Sequence, residues 1–591
     1  MSTHPSRLND GLACRARDLA RQHLIEWRLQ NCTMLPSSVK WLPSATLLAA
    51  RVSDESCTCK HVHLEMKAGL TVATRSPDHF LPAGQSLPHR VVMVNTSYRT
   101  GGAEHSGADL LEALRRRGIQ SRMFVGRGAN PTLGLFPIPS RSPLIAAALS
   151  RLAAFFESSN SKSVRSPHKA SAWYLLRLSQ ITSNLPPVSS RLERIAKTVA
   201  DLSAAGCVRG LLARFERPLF DPRSADYLGP VGSWRLLPGK EPLPDILHAH
   251  NLHGPDRGYF DLRALPSLSA RVPFVLSLRD AWTMSGHCAH SFGCDRWQTG
   301  CGQCPDLTIY PQIPSDRTAK NWLAKREIYR ASRLYVHAIS NWLQDRAERS
   351  MLADGIRDLR VIHTGIDLSI FKPGSRSAAR RRLGLPIDRR VLAFAALQSK
   401  DNPFKDVACL RACLTRLGHD SDLGATTLVA VGKESSTERF GSAELVYWPY
   451  VTDRNRLADL YRAADIYLHA AKVDSFPRVV LEALACGTPV IATAVGGIPE
   501  QIRSLRIAFG APGVSYQQDS ATGVLVRAGD GAAMAEAVRL VSTDEFLKRR
   551  LGENAAADAA DRFDLETQTD KMIAWYKEVI ADFRGSTPGR S

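Results

Sequence analysis

The stretch "VDSFPRVVLEALACGTPVIATAVGGIPE", residues 473–500, sets two carboxylates, Asp474 and Glu482, ahead of a Gly-Thr-Pro break, an apolar run and a pair of glycines. The apolar positions Val479, Val480, Leu481 and Leu484 predict a helix, with Asp474 and Ser475 as cap residues just before Pro477 in its first turn. The step from 474 to 482 is a little over two helical turns, which points the two acids to nearly the same side. Gly487 ends the helix, and "TPVIATAV" is a β-branched run of the kind buried in a parallel sheet, followed directly by Gly496 and Gly497. Acids presented by such a helix–strand–glycine unit are ready to accept hydrogen bonds from hydroxyl groups. Sugars and riboses are the commonest carriers of those.

Working outward, the same alternation recurs on both sides. Upstream of 473, "RRVLAFAAL", "TTLVAVG", "AELVYWPYV" and "DIYLHAA" read as strands separated by loops or helices, and "TGVLVRAGD" follows downstream. An earlier series opens with the strand "RVVMVNTS", the glycine loop "YRTGGAEHS" and the helix "GADLLEALRRRG", which carries Leu110, Leu111 and Leu114 on one face. It continues through "SRMFVG", "DILHAHN", "PFVLSLRD" and "RLYVHAIS". Two successive βα series with no antiparallel pattern predict an α/β protein of two Rossmann-like, doubly wound domains, with ligands at the carboxyl ends of the strands. The expected organisation is an arm over 1–88, disordered or separate; a first domain over 89–365 with an insertion at about 128–240; a second domain over 366–565; and a closing helix and tail over 566–591.

The chain has 591 residues, 44% of them hydrophobic, and a formal net charge of +20. Residues 115–240, which run from the end of the first helix through the insertion, hold 20 Lys/Arg against 6 Asp/Glu, so most of the excess lies in that fifth of the chain, as a solvated surface or a face for an anionic partner. Within it "SPLIAAALSRLAAFFE", 142–157, is apolar on nearly every face; it is too short to span a bilayer, and reads either as a buried core helix or as one lying in the membrane interface. No run reaches the roughly 18 apolar residues of a spanning helix, and the N-terminus lacks the apolar core of a secretion signal. The expected location is cytoplasmic, at the inner face of the membrane if the apolar segment docks there. Aromatic-basic interleaving and finger spacings are both absent from the sequence, so a nucleic-acid partner is not expected.

Gly101 and Gly102 lie between a strand and a helix, where backbone amides and the positive helix end can meet a phosphate, although a lone Gly-Gly also serves as a plain tight turn. The equivalent loop of the second domain, "QSKDNPFKD", carries Lys400 and Lys405, two amines placed to suit a diphosphate.

Several segments, taken in order, resemble the family 4 retaining glycosyltransferases (glycosyl transferases group 1), whose GT-B architecture sets two Rossmann-like domains face to face across a cleft. They are "YRTGGAEHSG", "DILHAHNLHG", "AISNWL", "TGIDLSIFKP", "LADLYRAADIYLHAA" and the 474–500 run, spread over roughly 90–580. The stretch "RDAWTMSGHCAHSFGCDRWQTGCGQCPDL" resembles a branch found in bacterial exopolysaccharide clusters, including colanic-acid-type synthesis. The resemblance implies a UDP- or GDP-sugar donor, no cofactor or metal required for catalysis, and a saccharide or lipid-linked acceptor. It implies that Glu482 holds the ribose hydroxyls, that Asp474 contacts the donor sugar or its departing phosphate, and that Lys400 and Lys405 hold the diphosphate. It further implies that Gly101, Gly102, Gly496 and Gly497 line the donor site, and that Arg279 and Asp280 follow the strand facing the sugar. The family usually has His where this chain has Arg279, Gly where it has Asp406 and Asn where it has Thr364. Arg cannot act as a base but can donate to a hydroxyl or phosphate; a nearby His248, His250 or His253 could substitute, and a relative that binds nucleotide sugar without turnover is the alternative reading.

Cys288, Cys294, Cys301 and Cys304 crowd into one loop beside His287 and His290. Four soft ligands at this spacing fit a structural zinc site, reduced free cysteines or a disulfide pair.

Overall fold

The computed structural model describes residues 87–99, 101–138, 233, 236–237, 242–253, 260–396, 402–432, 435–513 and 515–586. The N-terminal arm, most of the 128–240 insertion with its 142–157 segment, and Lys400 lie outside the described residues.

Two seven-stranded sheets organise the rest. The first holds β1 (Arg90–Asn95), β2 (Gln120–Val125), β3 (Leu135–Pro137), β4 (Ile246–Ala249), β5 (Phe274–Leu278), β6 (Leu334–Ala338) and β7 (Ile356–Val361), in the order β3-β2-β1-β4-β5-β6-β7. All of its pairings are parallel. The second holds β8 (Arg390–Ala395), β9 (Thr426–Val431), β10 (Ser436–Phe440), β11 (Ala443–Trp448), β12 (Ile466–His469), β13 (Val490–Thr493) and β14 (Gly523–Val526), in the order β10-β11-β9-β8-β12-β13-β14. The central strands β4, β5, β6, β9, β12 and β13 are buried along their whole length, which is why they read as unbroken apolar or β-branched runs. Two doubly wound α/β domains are therefore present, as expected.

Three strands escaped the sequence reading. β10 pairs antiparallel with β11, against the expectation of a purely parallel pattern. It is an edge strand whose polar residues face water, with Glu438 held by Arg411 at 2.8 Å, so it carries no apolar alternation to read. β7 is the opposite kind of edge: its Arg357 and Arg360 pair with Asp582 and Glu578 of the last helix. β3 lies inside the span assigned to the insertion, which therefore starts later than residue 128.

The last helix, Leu565–Gly585, packs on the first domain, burying Trp575, Tyr576 and Val579 against Val91, Met93 and Leu110. The chain crosses between domains twice at one place, where Ile366 N donates to Phe563 O (2.7 Å) and Leu565 N donates to Ile366 O (3.0 Å). In each sheet the strand order reverses at one point, β1/β4 and β8/β12, and the loops leaving those four strands carry the residues considered next.

Candidate active site

In the second domain, the loop after β8 runs back along the loop after β12. Asp406 N donates to Ala470 O (3.1 Å) and Lys472 N to Phe404 O (2.9 Å), which brings the Lys405 ammonium onto the Asp474 carboxylate in a direct ion pair. His469, fully buried at the end of β12, stands 3.2 Å from Lys405 Nζ and 3.3 Å from Asp474 Oδ2. Burial works against ionisation of Asp474, but Lys405 and His469 outweigh it and hold the carboxyl well below the usual carboxylate range. Asp406, the departure from the family's glycine, accepts from Cys409 N at 3.0 Å and so caps the following helix, Val407–Gly418.

The helix read from the opening stretch is Arg478–Ala485. Neither Asp474 nor Ser475 caps it; its cap residue is Pro477, which offers no side-chain acceptor, and Asp474 lies in the preceding loop with its side chain on Lys405. The two acids are thus not related by helical phase, as the sequence suggested, but by the loop that Gly496 and Gly497 press against. The Gly497 amide donates to Asp474 O at 3.2 Å. Glu482 is 6% exposed, accepts from Tyr461 OH at 3.0 Å and lies 3.6 Å from Arg478 Nε. Burial raises its pKa despite those two partners. Tyr467, inside β12, is in electrostatic reach of both acids.

In the first domain the helix Gly102–Arg116 begins at the glycine loop with no side-chain cap on Gly101. The Glu104 carboxylate folds back to within 2.6 Å of where a Gly101 Cβ would stand, whereas the same position on Gly102 is open. Arg279, after β5, donates to Thr364 Oγ1 (3.4 Å) and contacts His250 Nδ1 (3.2 Å), so the two unusual residues 279 and 364 meet. Desolvation and the neighbouring Arg478 lower the Arg279 pKa to about 10, which leaves it cationic at neutral pH. Asp280 accepts from Trp282 N (2.9 Å) and pairs with His253 Nε2 (2.7 Å).

His248 has both ring nitrogens occupied by the core. His337 Nε2 donates to Ile362 O (2.8 Å), so its Nδ1 accepts from Ser277 Oγ (2.7 Å); Ser277 in turn accepts from His248 Nε2 (2.7 Å), whose Nδ1 accepts from Tyr576 OH (2.6 Å). This order requires both imidazoles to be neutral. Burial indeed lowers the pKa of His337 to about 3 and that of His469 to about 4. A histidine depressed in the fold takes up its proton in the unfolded chain first, so its contribution to stability is complete above about pH 6.5 and is lost as the pH falls through the folded value. The melting temperature is expected to hold near pH 7 and to fall from about pH 6.5 to pH 4.5, each such histidine contributing up to about 1.4 kcal/mol per pH unit in that window. A flat profile from pH 7 to 4.5 in a thermal melt series would contradict the assignment.

Besides the chain crossing at Ile366, side chains at three places among the described residues join the two domains, and the sequence reading missed these. Asp109, on the first domain's helix, accepts from Arg478 Nη2 at 2.8 Å and lies 3.4 Å from Arg454 and 3.2 Å from Arg99. Glu500, the last residue of the opening stretch, accepts from the backbone of Asn341 (2.8 Å) and Trp342 (2.9 Å), capping from across the cleft the helix Asn341–Glu348. Phe404, beside Lys405, meets His290 (ring centroids 5.1 Å) and Phe292 (5.9 Å) of the cysteine-rich loop.

That loop is fastened by the helix Thr318–Arg330: the buried Lys325 donates to Trp282 O (2.6 Å) and Ser285 O (2.9 Å), Tyr329 to Thr283 O (2.8 Å) and Trp322 to Trp297 O (2.7 Å). Its four cysteines are not joined in disulfides, with Cys301 accepting from Gly286 N (3.3 Å) and Cys304 against His287 Nε2 (3.3 Å). Burial pushes the Cys288 thiol up to about 12 and that of Cys301 to about 11. Among the described residues no group of three or more His, Cys, Asp or Glu side chains is disposed to hold a metal ion, and no helix is long and apolar enough to cross a membrane.

Comparison with known proteins places this arrangement. Residues 424–558 match the family described as Glycosyl transferases group 1. D-inositol 3-phosphate glycosyltransferases of Mycobacterium bovis and Mycobacterium tuberculosis are 30% identical over 366 residues, 58% of this chain and 67% of theirs. Similar solved structures include sucrose-phosphate synthase from Thermosynechococcus elongatus (TM-score 0.48, 18% identity, 84% of this chain and 100% of that one). Anabaena HepE in complex with UDP and glucose is another (0.46, 16%, 83% and 100%). With 30% identity covering 67% of a curated relative, and with the matched segment holding Asp474, Glu482 and the glycine pair, the chain belongs to the glycosyl transferases group 1 family.

Proposed function

We propose that this glycosyltransferase moves a sugar, with retention of its anomeric configuration, from a UDP- or GDP-sugar to a saccharide or lipid-linked acceptor in bacterial surface polysaccharide synthesis. The observation that carries the reading is the cluster of Lys405, Asp474 and His469 at the carboxyl ends of β8 and β12, next to the strand-order reversal, together with the buried Glu482–Tyr461 pair on the helices that flank β12. Glu482 would take the ribose hydroxyls, its acceptor strength set by Tyr461 and Arg478. Lys405, together with Lys400 and the amides of Gly101 and Gly102, would carry the charge of the departing diphosphate, the main electrostatic task of the reaction and the metal-independent form that the resemblance implies. As the bond from the anomeric carbon to the phosphate oxygen breaks, the acceptor oxygen bonds to that carbon from the same face and its proton passes to the released phosphate. Arg279, Asp280 and Asp474 surround the sugar, and the two domains exclude water. A membrane-bound acceptor would suit the basic insertion and the 142–157 segment.

The test is nucleotide release by the purified protein from a panel of UDP- and GDP-sugars, with total bacterial membrane lipid and inositol 3-phosphate as separate acceptors. Release from one donor is expected, and Glu482→Ala is expected to lower it by about 10- to 100-fold, the cost of one charged hydrogen-bond pair. Nucleotide binding without release from any donor would instead support the non-catalytic alternative, and release unchanged in Glu482→Ala would overturn the assignment of the donor site.

A further inference from the structure

His290 stands apart from the other histidines of the cleft. His248 is consumed by Tyr576 and Ser277, His250 faces Arg279, His253 holds Asp280, and His469 sits on the Lys405–Asp474 pair. His250 Nε2, His253 Nδ1 and His290 Nδ1 are all shut away from water with no hydrogen-bond partner among the described residues, but His250 and His253 are engaged through their other nitrogen, whereas the His290 ring makes no hydrogen bond to them at all. An imidazole nitrogen left so is destabilising unless something completes it. The ring is nonetheless firmly placed. It stands edge-on to Phe404 (5.1 Å, 66°) and leans on Trp342 (6.4 Å, 36°), and Phe292 stacks on Phe404 (5.9 Å, 20°). The loop of the first domain is thereby seated on the residue adjoining Lys405.

The charged groups around it are Asp280 from the first domain's β5 loop, Asp474 and Lys405 from the second domain, and Arg346 from the helix Asn341–Glu348. The imidazole therefore lies in reach of both carboxylates that flank the reaction centre in the proposed function, at the phosphate end of the cleft. A neutral imidazole donates at one nitrogen and accepts at the other, which matches both functions of a hydroxyl group.

We infer that His290 is a further substrate-contacting residue, hydrogen-bonding a hydroxyl of the sugar carried by the donor in the space between Asp280 and Asp474. This rests on the nucleotide-sugar reading above. It makes His290 a determinant of the sugar and not of the nucleotide, so its loss removes only the binding increment and the turnover that the sugar supplies.

The experiment compares wild type, His290→Phe, which keeps a ring against Phe404 and Trp342 but lacks both nitrogens, and His290→Gln, which restores a group that donates and accepts. Calorimetric affinities for UDP, UDP-glucose, GDP and GDP-mannose, and turnover with the donor that wild type releases, are measured at pH 8, where an imidazole is neutral. Melting temperatures confirm that the variants fold. For His290→Phe, free-nucleotide affinity is expected to stay within about twofold, while the sugar nucleotide's advantage over the free nucleotide and kcat both fall about tenfold or more, with partial recovery in His290→Gln. Turnover within about twofold of wild type in His290→Phe, or an equal loss for free nucleotide and sugar nucleotide, would overturn the inference while leaving the glycosyltransferase reading intact. Wild type binding none of the four probes would take down both.

Discussion

Asp109→Ala is expected to destabilise the protein by about 3–5 kcal/mol and to open the cleft, because it leaves buried arginines without their counter-charge. The Asp109 side chain is 2% exposed and takes Arg478, itself 6% exposed, together with Arg454 and Arg99. Burial alone would raise the carboxyl's pKa, yet Arg478, Arg454 and Arg99 together hold it below the usual range, so the charge is present and fully engaged. Two of the three arginines belong to the other domain, and Arg478 also stands 3.6 Å from Glu482. Removing Asp109 therefore frees Arg478 to settle on Glu482, weakening the acid proposed to hold the ribose as well as the contact between domains. Small-angle scattering should show a larger radius of gyration, and chemical denaturation a loss of cooperativity between the two domains. Unchanged scattering and a stability within about 1 kcal/mol of wild type would reject the coupling. Asp109→Asn, which keeps the shape and loses the charge, is expected to fall between the two.

Gly496→Ala is expected to cost activity on the order of 100-fold. Gly496 has φ +56, and a Cβ there would stand 1.8 Å from Asp474 O and 2.8 Å from Asp474 C. Those are backbone atoms and cannot swing aside, so the loop carrying Asp474 has to move, and with it the ion pair to Lys405. A displacement of about 1 Å at a reacting centre costs on the order of 100-fold in rate. Gly529 is the control: its φ is +75, but a Cβ there meets nothing within 4 Å. Gly529→Ala should cost only the conformational penalty of a left-handed residue, about 1–2 kcal/mol, with activity unchanged. Equal effects of the two substitutions on kcat would show that the close approach to Asp474 does not matter.

The sequence was most legible where burial leaves a one-dimensional trace. β9, β12 and β13 are buried on both faces and must be apolar throughout, so each could be read without a partner. β10 and β7 are edges whose residues answer to solvent and to charged neighbours, and such strands carry no period. The site divides in the same way. Asp474 and Glu482 stand in the 474–500 run that carries the family resemblance and within the segment that matches the family, and Lys405 in the loop after the second domain's first strand. Arg478 lies inside the opening stretch and was passed over, because its partner Asp109 is 369 positions away and an arginine on a helix is ordinarily solvated. Glu500 was passed over for a similar reason, since the helix it caps lies 159 positions upstream.

By itself, then, the sequence determined two doubly wound domains and the glycine loops at their switch points, because each follows from local periodicity and spacing, while the residues proposed for a nucleotide-sugar site came from the family resemblance. Only the tertiary structure decided that Asp474 leaves the helix to pair with Lys405, that Arg478 and Glu500 reach across the cleft, and that His290 faces it with a nitrogen unspent. Those are matters of which charge or ring finds which partner at a distance of a few ångströms. Chain spacing carries no record of that when the partners lie on different domains.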